Sequence, residues 1–169
     1  MKSVLAVLVE DKPGVLSRVA GLFSRRGFNI DSLAVGETKE PGISRITITV
    51  DEDSSTLEQV VKQLNKLVNV LKISNITEDP SVSRELMLIK VHAEPEKRAD
   101  IHQIVEMFRG KVVDLSLDSL IIEVTGDAEK LEALKLLMQH YGIKEIVRTG
   151  NISMVRGSKT VEARRIKHK

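Results

Sequence analysis

The sequence predicts an α+β protein made of two small βαββαβ units in tandem. Runs of β-branched and alternating apolar residues, typical of strands, take turns with apolar residues at helical spacing. This order recurs after a polar break at residues 77–81. The chain has 169 residues, which is enough for two small domains, and only 2% are aromatic, so each core must be aliphatic.

The first half opens with a strand and the turn Asp11-Lys12-Pro13-Gly14, where Pro13 suits the start of a helix. Apolar residues then recur at helical spacing as far as Gly27, which suits a left-handed helix end. A second helix is predicted after a capping box at Ser55-Thr56-Leu57-Glu58. The predicted strands of this half cover residues 2–10, 29–37, 43–51 and 69–77.

The second half repeats the architecture with little repetition of sequence. Pro95 opens a predicted helix that stops at Gly110, and Asp127 caps a second helix that ends at Gly142. The predicted strands of this half cover residues 84–93, 111–116, 119–125 and 143–149.

Each half is therefore predicted to be a ferredoxin-like sandwich, with two helices on one face of a four-stranded antiparallel sheet. We place the first domain at residues 1–78 and a linker at 79–83. The second domain is placed at 84–156, followed by a flexible basic tail at 157–169.

The first strand has no polar face that could point to solvent. A sheet covered by helices on one side leaves its other side bare, and a large bare apolar face indicates a partner. The sequence thus predicts a homo-oligomer at minimum. The two apolar faces of the strand carry Val4, Ala6 and Leu8, and Leu5, Val7 and Val9.

Several classes of function lack support in the sequence. The chain has no cysteine, which removes disulfides, thiolate nucleophiles and cysteine-based zinc sites. Its four histidines fall in different predicted elements without metal-ligand spacing, and no glycine-rich phosphate loop or catalytic carboxylate pair is supported. Neither a signal peptide nor an apolar run of membrane-spanning length is present, so a cytoplasmic protein is expected.

The turn before the first helix has the features of a ligand site. A helix N-terminus offers free N–H groups to a carboxylate, and Gly14 lets a ligand approach the backbone. Asp11 can accept hydrogen bonds from an ammonium group, and Asn29, at the start of the second strand, can donate and accept. The aliphatic neighbours, Val15, Leu16 and Ile30, suit an aliphatic side chain. The same residues also fit an ordinary strand-to-helix turn, so spacing alone leaves both interpretations open.

This segment resembles the start of an ACT domain, a ferredoxin-like module that binds amino acids. More specifically, the chain resembles the small, regulatory subunits of acetolactate synthase (acetohydroxyacid synthase) from Met1 to about Gly157. The segments that carry the resemblance are residues 16–33, 44–48, 63–68, 84–90 and 108–110.

The resemblance implies a non-catalytic subunit in the biosynthesis of branched-chain amino acids. In this family, a large subunit carries thiamine diphosphate, magnesium and FAD, and the small subunit holds no cofactor. The small subunit activates the large one and makes it sensitive to feedback inhibition by valine, in some members by leucine or isoleucine.

The resemblance also implies where the effector binds. It sits in a homodimer, between the N-terminal domain of one chain and that of the other. The turn Asp11, Lys12, Pro13, Gly14, Val15 and Leu16 of one chain meets Asn29 and Ile30 of its partner. Family members often have Asn where this chain has Asp11, so the identity and affinity of the effector are open.

An alternative function is a stand-alone amino-acid sensor whose basic tail contacts nucleic acid. The tail from Arg156 to Lys169 holds six basic residues and one acid, so the rest of the chain is slightly acidic. The aromatic residues fall on helices or helix ends, which argues against an RNA-binding sheet.

Overall fold

The computed structural model describes residues 1–161 and confirms an α+β fold. Its contacts divide the chain into two units, Met1–Val82 with the segment that begins at Asn151, and Ser83–Gly150. The elements of the first unit are β1 (Lys2–Glu10), α1 (Val15–Arg26), β2 (Ser32–Glu37), β3 (Ile43–Asp51), α2 (Ser54–Leu64), β4 (Val70–Asn75) and β9 (Ile152–Val155).

The sheet of the first unit has the order β2-β3-β1-β4 and is antiparallel throughout. In β1, every second residue points toward the helices, as the period of a strand requires. Leu5 pairs with Ile48 and Val7 pairs with Ile46, so these apolar side chains share one face and pack against α1 and α2. The buried core there comprises Leu5, Val7, Val9, Val15, Val19, Leu22, Phe23, Ile46, Ile48, Val50, Leu57, Val60 and Leu64.

The second unit repeats this arrangement with its own core. Its sheet has the order β6-β7-β5-β8, and a single 3₁₀ turn at Pro95–Lys97 precedes α3. The elements are β5 (Ser81–His92), which begins two residues before the unit does, α3 (Arg98–Met107), β6 (Lys111–Leu115), β7 (Ser119–Gly126), α4 (Ala128–Gln139) and β8 (Ile143–Arg148).

The helix ends test the predicted caps. Gly27 adopts the left-handed conformation, with φ of 71°, and closes α1 as predicted. Asp127 accepts a hydrogen bond from the Lys130 N–H at 2.9 Å, which confirms it as the cap of α4. The predicted capping box at Ser55–Glu58 is wrong. Asp53 is the cap of α2, because its carboxylate accepts the Thr56 N–H at 2.8 Å and the helix begins at Ser54.

The segment after residue 150 covers part of the helix-free face of the first sheet. Val155 and Val161, 9% and 5% exposed, pack with Ala6 and Ile76 in a small apolar cluster. Contacts therefore group this segment with the first unit, and not with the second domain predicted at residues 84–156. The cover that we expected from another copy of the chain is supplied here, in part, by the chain itself.

Hydrogen bonds hold this C-terminal segment in place. The Asn151 N–H donates to Ser32 Oγ at 2.6 Å, and the Arg45 guanidinium donates to the Ser153 carbonyl. Lys159, one of the basic residues of the predicted tail, is paired with Asp79. Four other basic residues of the tail, Arg164, Arg165, Lys167 and Lys169, lie outside the described part of the chain.

Candidate functional site

The turn between β1 and α1 has the geometry that a ligand needs in order to approach the backbone. Gly14 adopts φ of 84°, a conformation that costs a residue with a Cβ about 1–2 kcal/mol. A Cβ at Gly14 would meet no atom within 4 Å, so the space beside the backbone is open. The helix begins at Val15, two residues after Pro13, so the prediction that Pro13 starts the helix is wrong: the positive φ of Gly14 keeps the turn out of the helical conformation, and no side chain caps the helix.

No side chain caps α1, so beyond the Val15 N–H, which the turn itself uses, the N–H groups of the first helical turn are available to an anion. The turn itself is held by backbone hydrogen bonds: the Asp11 N–H donates to the Gly42 carbonyl at 2.9 Å, and the Val15 N–H donates to the Lys12 carbonyl at 3.3 Å. This end of α1 therefore combines an ordered turn with unfilled donors and partial positive charge.

The side chains of the turn divide between solvent and core. Asp11, Lys12 and Pro13 are exposed, whereas Val15 is 4% exposed and packs in the core of the first unit. Leu16 is 43% exposed. Of the two aliphatic side chains predicted at the turn, only Leu16 is therefore exposed at the surface, whereas Val15 is part of the core.

Asn29 and Ile30 lie between the end of α1 and β2. The predicted strand over residues 29–37 begins later, at Ser32, so Asn29 is in the connecting segment. The Asn29 amide donates to Asp31 Oδ1 at 3.1 Å, and the Asp31 N–H donates to the Thr49 carbonyl at 2.9 Å. Asn29 is exposed, while Ile30 is half-buried against the core.

The two halves of the predicted site lie at opposite ends of α1. The turn precedes the helix and Asn29 follows it, and a helix of 12 residues is about 18 Å long. One chain therefore does not bring the turn and Asn29 together around one amino acid.

A polar network, which the sequence analysis missed, surrounds the base of the turn. Glu10 Oε2 accepts from Lys12 Nζ at 2.7 Å and from the Asn69 amide at 3.3 Å. The Asn69 side-chain oxygen accepts from Arg18 Nη1 at 2.5 Å. Lys12, and then Asn69, lower the pKa of the Glu10 carboxyl below its ordinary value of 4.5. Since Asn69 lies 51 residues from Arg18 and 59 from Glu10, no local pattern signals this network.

No three His, Cys, Asp or Glu side chains among residues 1–161 are grouped as a metal site would require. Within the same residues, no helix combines the length and the hydropathy of a membrane span.

Comparisons with known proteins match both units. The family model described as "AHAS small subunit-like ACT domain" matches residues 5–72, and that described as "Small subunit of acetolactate synthase" matches residues 84–157. A probable acetolactate synthase small subunit of Archaeoglobus fulgidus is 60% identical over 94% of this chain and 99% of its own. The acetolactate synthase small subunit of Mycolicibacterium smegmatis is 58% identical over 94% of each chain.

A solved structure agrees with these matches. The crystal structure of the acetolactate synthase small subunit from Thermotoga maritima superposes with a TM-score of 0.84 at 44% identity. It covers 94% of this chain and 99% of that one. The chain therefore belongs to the family of acetolactate synthase small subunits, and its first unit is the ACT domain of that family.

Proposed function

We propose that this chain is a non-catalytic regulatory subunit of acetolactate synthase in the biosynthesis of branched-chain amino acids. It binds the large catalytic subunit, which carries thiamine diphosphate, magnesium and FAD, and raises its activity. Valine binds between the ACT domains of a homodimer and inhibits the enzyme by feedback. The observation that supports this proposal is that the turn at Asp11–Leu16 and the residue Asn29 lie at opposite ends of α1, so that a second copy of the chain would be needed to bring them together.

The residues of the two half-sites fit the chemistry of a free aliphatic amino acid. The carboxylate of the amino acid suits the free N–H groups at the start of α1. Gly14 has no side chain, so the carboxylate can approach the backbone there. Asp11 of one chain and Asn29 of its partner can accept hydrogen bonds from the ammonium group. The exposed Leu16 and the half-buried Ile30 offer apolar contacts to the side chain.

The positive charge of Lys12 does not conflict with the binding of the ligand's ammonium group at Asp11. The Lys12 ammonium is 2.7 Å from Glu10, so the pair is neutral and leaves Asp11 as the charged side chain at the turn. Asp11 therefore favours the ammonium end of the ligand, and the helix N-terminus favours the carboxylate end.

Feedback inhibition requires that valine bind one state of the small subunit more tightly than another. A coupling free energy of about 1–3 kcal/mol between valine and the productive complex with the large subunit is sufficient. By reciprocity, binding of the large subunit then weakens the affinity for valine by the same factor.

The first experiment is titration of the purified chain with valine, leucine and isoleucine by calorimetry, alongside a Gly14→Asp variant. Gly157→Asp is a matched control, because Gly157 also has positive φ, 77°, and open space around it. We expect saturable binding of valine that is lost in Gly14→Asp and kept in Gly157→Asp. Equal binding by all three proteins would remove the effector from this turn.

A mixing experiment tests the shared site. Gly14→Asp disables the turn, and Asn29→Ala disables the other half-site, so each variant alone should bind no valine. Unfolding and refolding them together produces mixed dimers, in which one of the two sites is intact. We expect roughly a quarter of the wild-type stoichiometry to return. No recovery would mean that the site lies within one chain or elsewhere.

The regulatory role is tested with the large subunit. We expect the pair to co-purify, and the small subunit to raise the activity of the large subunit in a valine-sensitive manner. Recovery of nucleic acid instead of the large subunit would favour a stand-alone sensor and contradict the proposal.

A further inference from the structure

We propose that Asn69 is a positioning residue for the effector turn, which it fixes by bridging Glu10 and Arg18. The proposal rests on the proposed function for the identity of the effector. The part of the proposal that concerns the geometry of the turn is independent of that function. Asn69 lies directly before β4, and its side chain forms hydrogen bonds to Glu10 and Arg18.

Asn69 contacts the elements on both sides of the turn. On the strand side, its carbonyl accepts the Glu10 N–H at 2.9 Å, and its side-chain amide donates to Glu10 Oε2 at 3.3 Å. On the helix side, its side-chain oxygen accepts from Arg18 Nη1 at 2.5 Å. One residue thus links the last residue of β1 to the second turn of α1.

Both linked residues are also tied to the turn itself. The Arg18 N–H donates to the Gly14 carbonyl at 3.0 Å, and Glu10 holds the Lys12 ammonium at 2.7 Å while its carbonyl accepts the Lys12 N–H at 3.0 Å. A shift of Arg18 away from Glu10 would therefore move Gly14 relative to Lys12. The separation of these two backbones sets the space that a carboxylate would enter at the start of α1.

The chemistry of an amide explains why Asn suits this position. Its oxygen accepts from the guanidinium, and its nitrogen donates to the carboxylate, so it can bridge two groups of opposite charge. An aspartate keeps the acceptor for Arg18, loses the donor to Glu10 and places a second carboxylate beside that of Glu10. An alanine loses both contacts, while the backbone hydrogen bond to Glu10 remains.

Both bonds are charge-assisted, and the bond to Arg18 should dominate because it is the shorter, 2.5 Å against 3.3 Å. Arg18 is exposed and Asn69 is half-buried, and contacts at such sites contribute little to global stability. The role of Asn69 should therefore appear in the order of the turn and in effector affinity more than in the unfolding midpoint.

The test compares Asn69→Ala and Asn69→Asp with the full-length wild-type chain. Asn65→Ala is the matched control, because Asn65 lies in the same connection and is exposed. Two readouts are needed: exchange of the Asp11 and Val15 amide hydrogens by NMR, and the dissociation constant for valine by calorimetry.

In Asn69→Ala we expect both amides to exchange faster and valine to bind more weakly, each by about 3- to 10-fold. Asn69→Asp keeps the contact to Arg18 but sets a negative charge beside Glu10, so it should restore only part of both losses, and the control should show neither loss. The unfolding midpoint should stay within the range of the control.

Three outcomes distinguish a failure of the positioning role of Asn69 from a failure of the proposed function. Wild-type turn exchange and valine affinity in Asn69→Ala would overturn the positioning role and leave the proposed function standing. Faster exchange spread evenly over the first unit would overturn it as well, since Asn69 would then be merely structural. Loosening confined to the turn, in a wild-type chain that binds no valine, would support the positioning role and contradict the proposed function.

Discussion

The ammonium of Lys159 lies 2.7 and 2.8 Å from the two carboxylate oxygens of Asp79, a residue 80 positions earlier in the chain. Next to this pair, the Arg156 N–H donates to the Pro80 carbonyl at 2.7 Å. The two contacts hold the end of the described chain beside the end of the ACT domain. They place Val155 and Val161 over the face of the sheet that carries Ala6.

The apolar contact should contribute more to stability than the ion pair does. Val155→Ala or Val161→Ala is expected to lower the free energy of unfolding by about 1–2 kcal/mol, because each removes buried methyl groups. Lys159→Ala should cost less than about 1 kcal/mol, since the Lys159 side chain is largely exposed. Chemical denaturation measures all three, and a larger loss for Lys159→Ala would contradict the ranking.

Truncation after Gly150 should destabilise the ACT domain even though it removes nothing from residues 1–82. The deletion uncovers Ala6 and Ile76, which are 1% and 2% exposed in the intact chain. We expect faster proteolysis within the first unit and binding of a hydrophobic dye. Cleavage at the wild-type rate would show that the face needs no cover.

The cap of α4 gives a prediction confined to the second unit. Asp127→Ala removes the acceptor for the Lys130 N–H and should cost about 1 kcal/mol. Glu129→Gln is the control, because Glu129 is acidic and in the first turn of α4 but is not the cap. Denaturation monitored by circular dichroism should show a smaller loss for the control, and equal losses would assign the effect to charge alone.

Arg148 should link the stability of the second unit to pH. It donates to both oxygens of Glu85, at 3.1 and 2.9 Å, and to Glu132 at 2.6 Å. These contacts should be worth about 1–2 kcal/mol at neutral pH, judged from the loss in Arg148→Met. Chemical denaturation across a pH series measures this difference.

The sign of the pH dependence follows from Glu132. Arg148, and then Lys135, lower the pKa of its carboxyl below the ordinary value of 4.5. Its stabilising effect is therefore complete above about pH 4.5 and is lost as the pH falls through the lowered value. The gap between wild type and Arg148→Met should narrow in acid, and a constant gap would contradict the electrostatic origin.

The two βαββαβ units could be predicted from the amino-acid sequence, because the signals for them are local. Alternation along strands, helical spacing, the left-handed Gly27 and the cap Asp127 each act within a few residues of the chain. The resemblance to acetolactate synthase small subunits was carried by contiguous segments, and the family matches confirm it.

Local signals were not sufficient to predict the exact ends of some helices and strands. Asp53 and Ser55 both offer a side-chain acceptor near the start of α2, and the hydrogen bond from the Thr56 N–H shows that Asp53 is the cap. Likewise, apolar residues after Gly27 suggested a strand from residue 29, but pairing with β3 begins only at Ser32.

The contacts between distant segments are visible only in the tertiary structure. Alternation cannot reveal that Val155 and Val161 cover Ala6, or that Asn69 bridges Glu10 and Arg18, because side chains far apart in sequence meet only after the sheet forms. The sequence named Gly14 and Asn29, and the resemblance placed them on two different chains. The structure adds that they lie at opposite ends of α1 within one chain, so the proposed site needs a second chain.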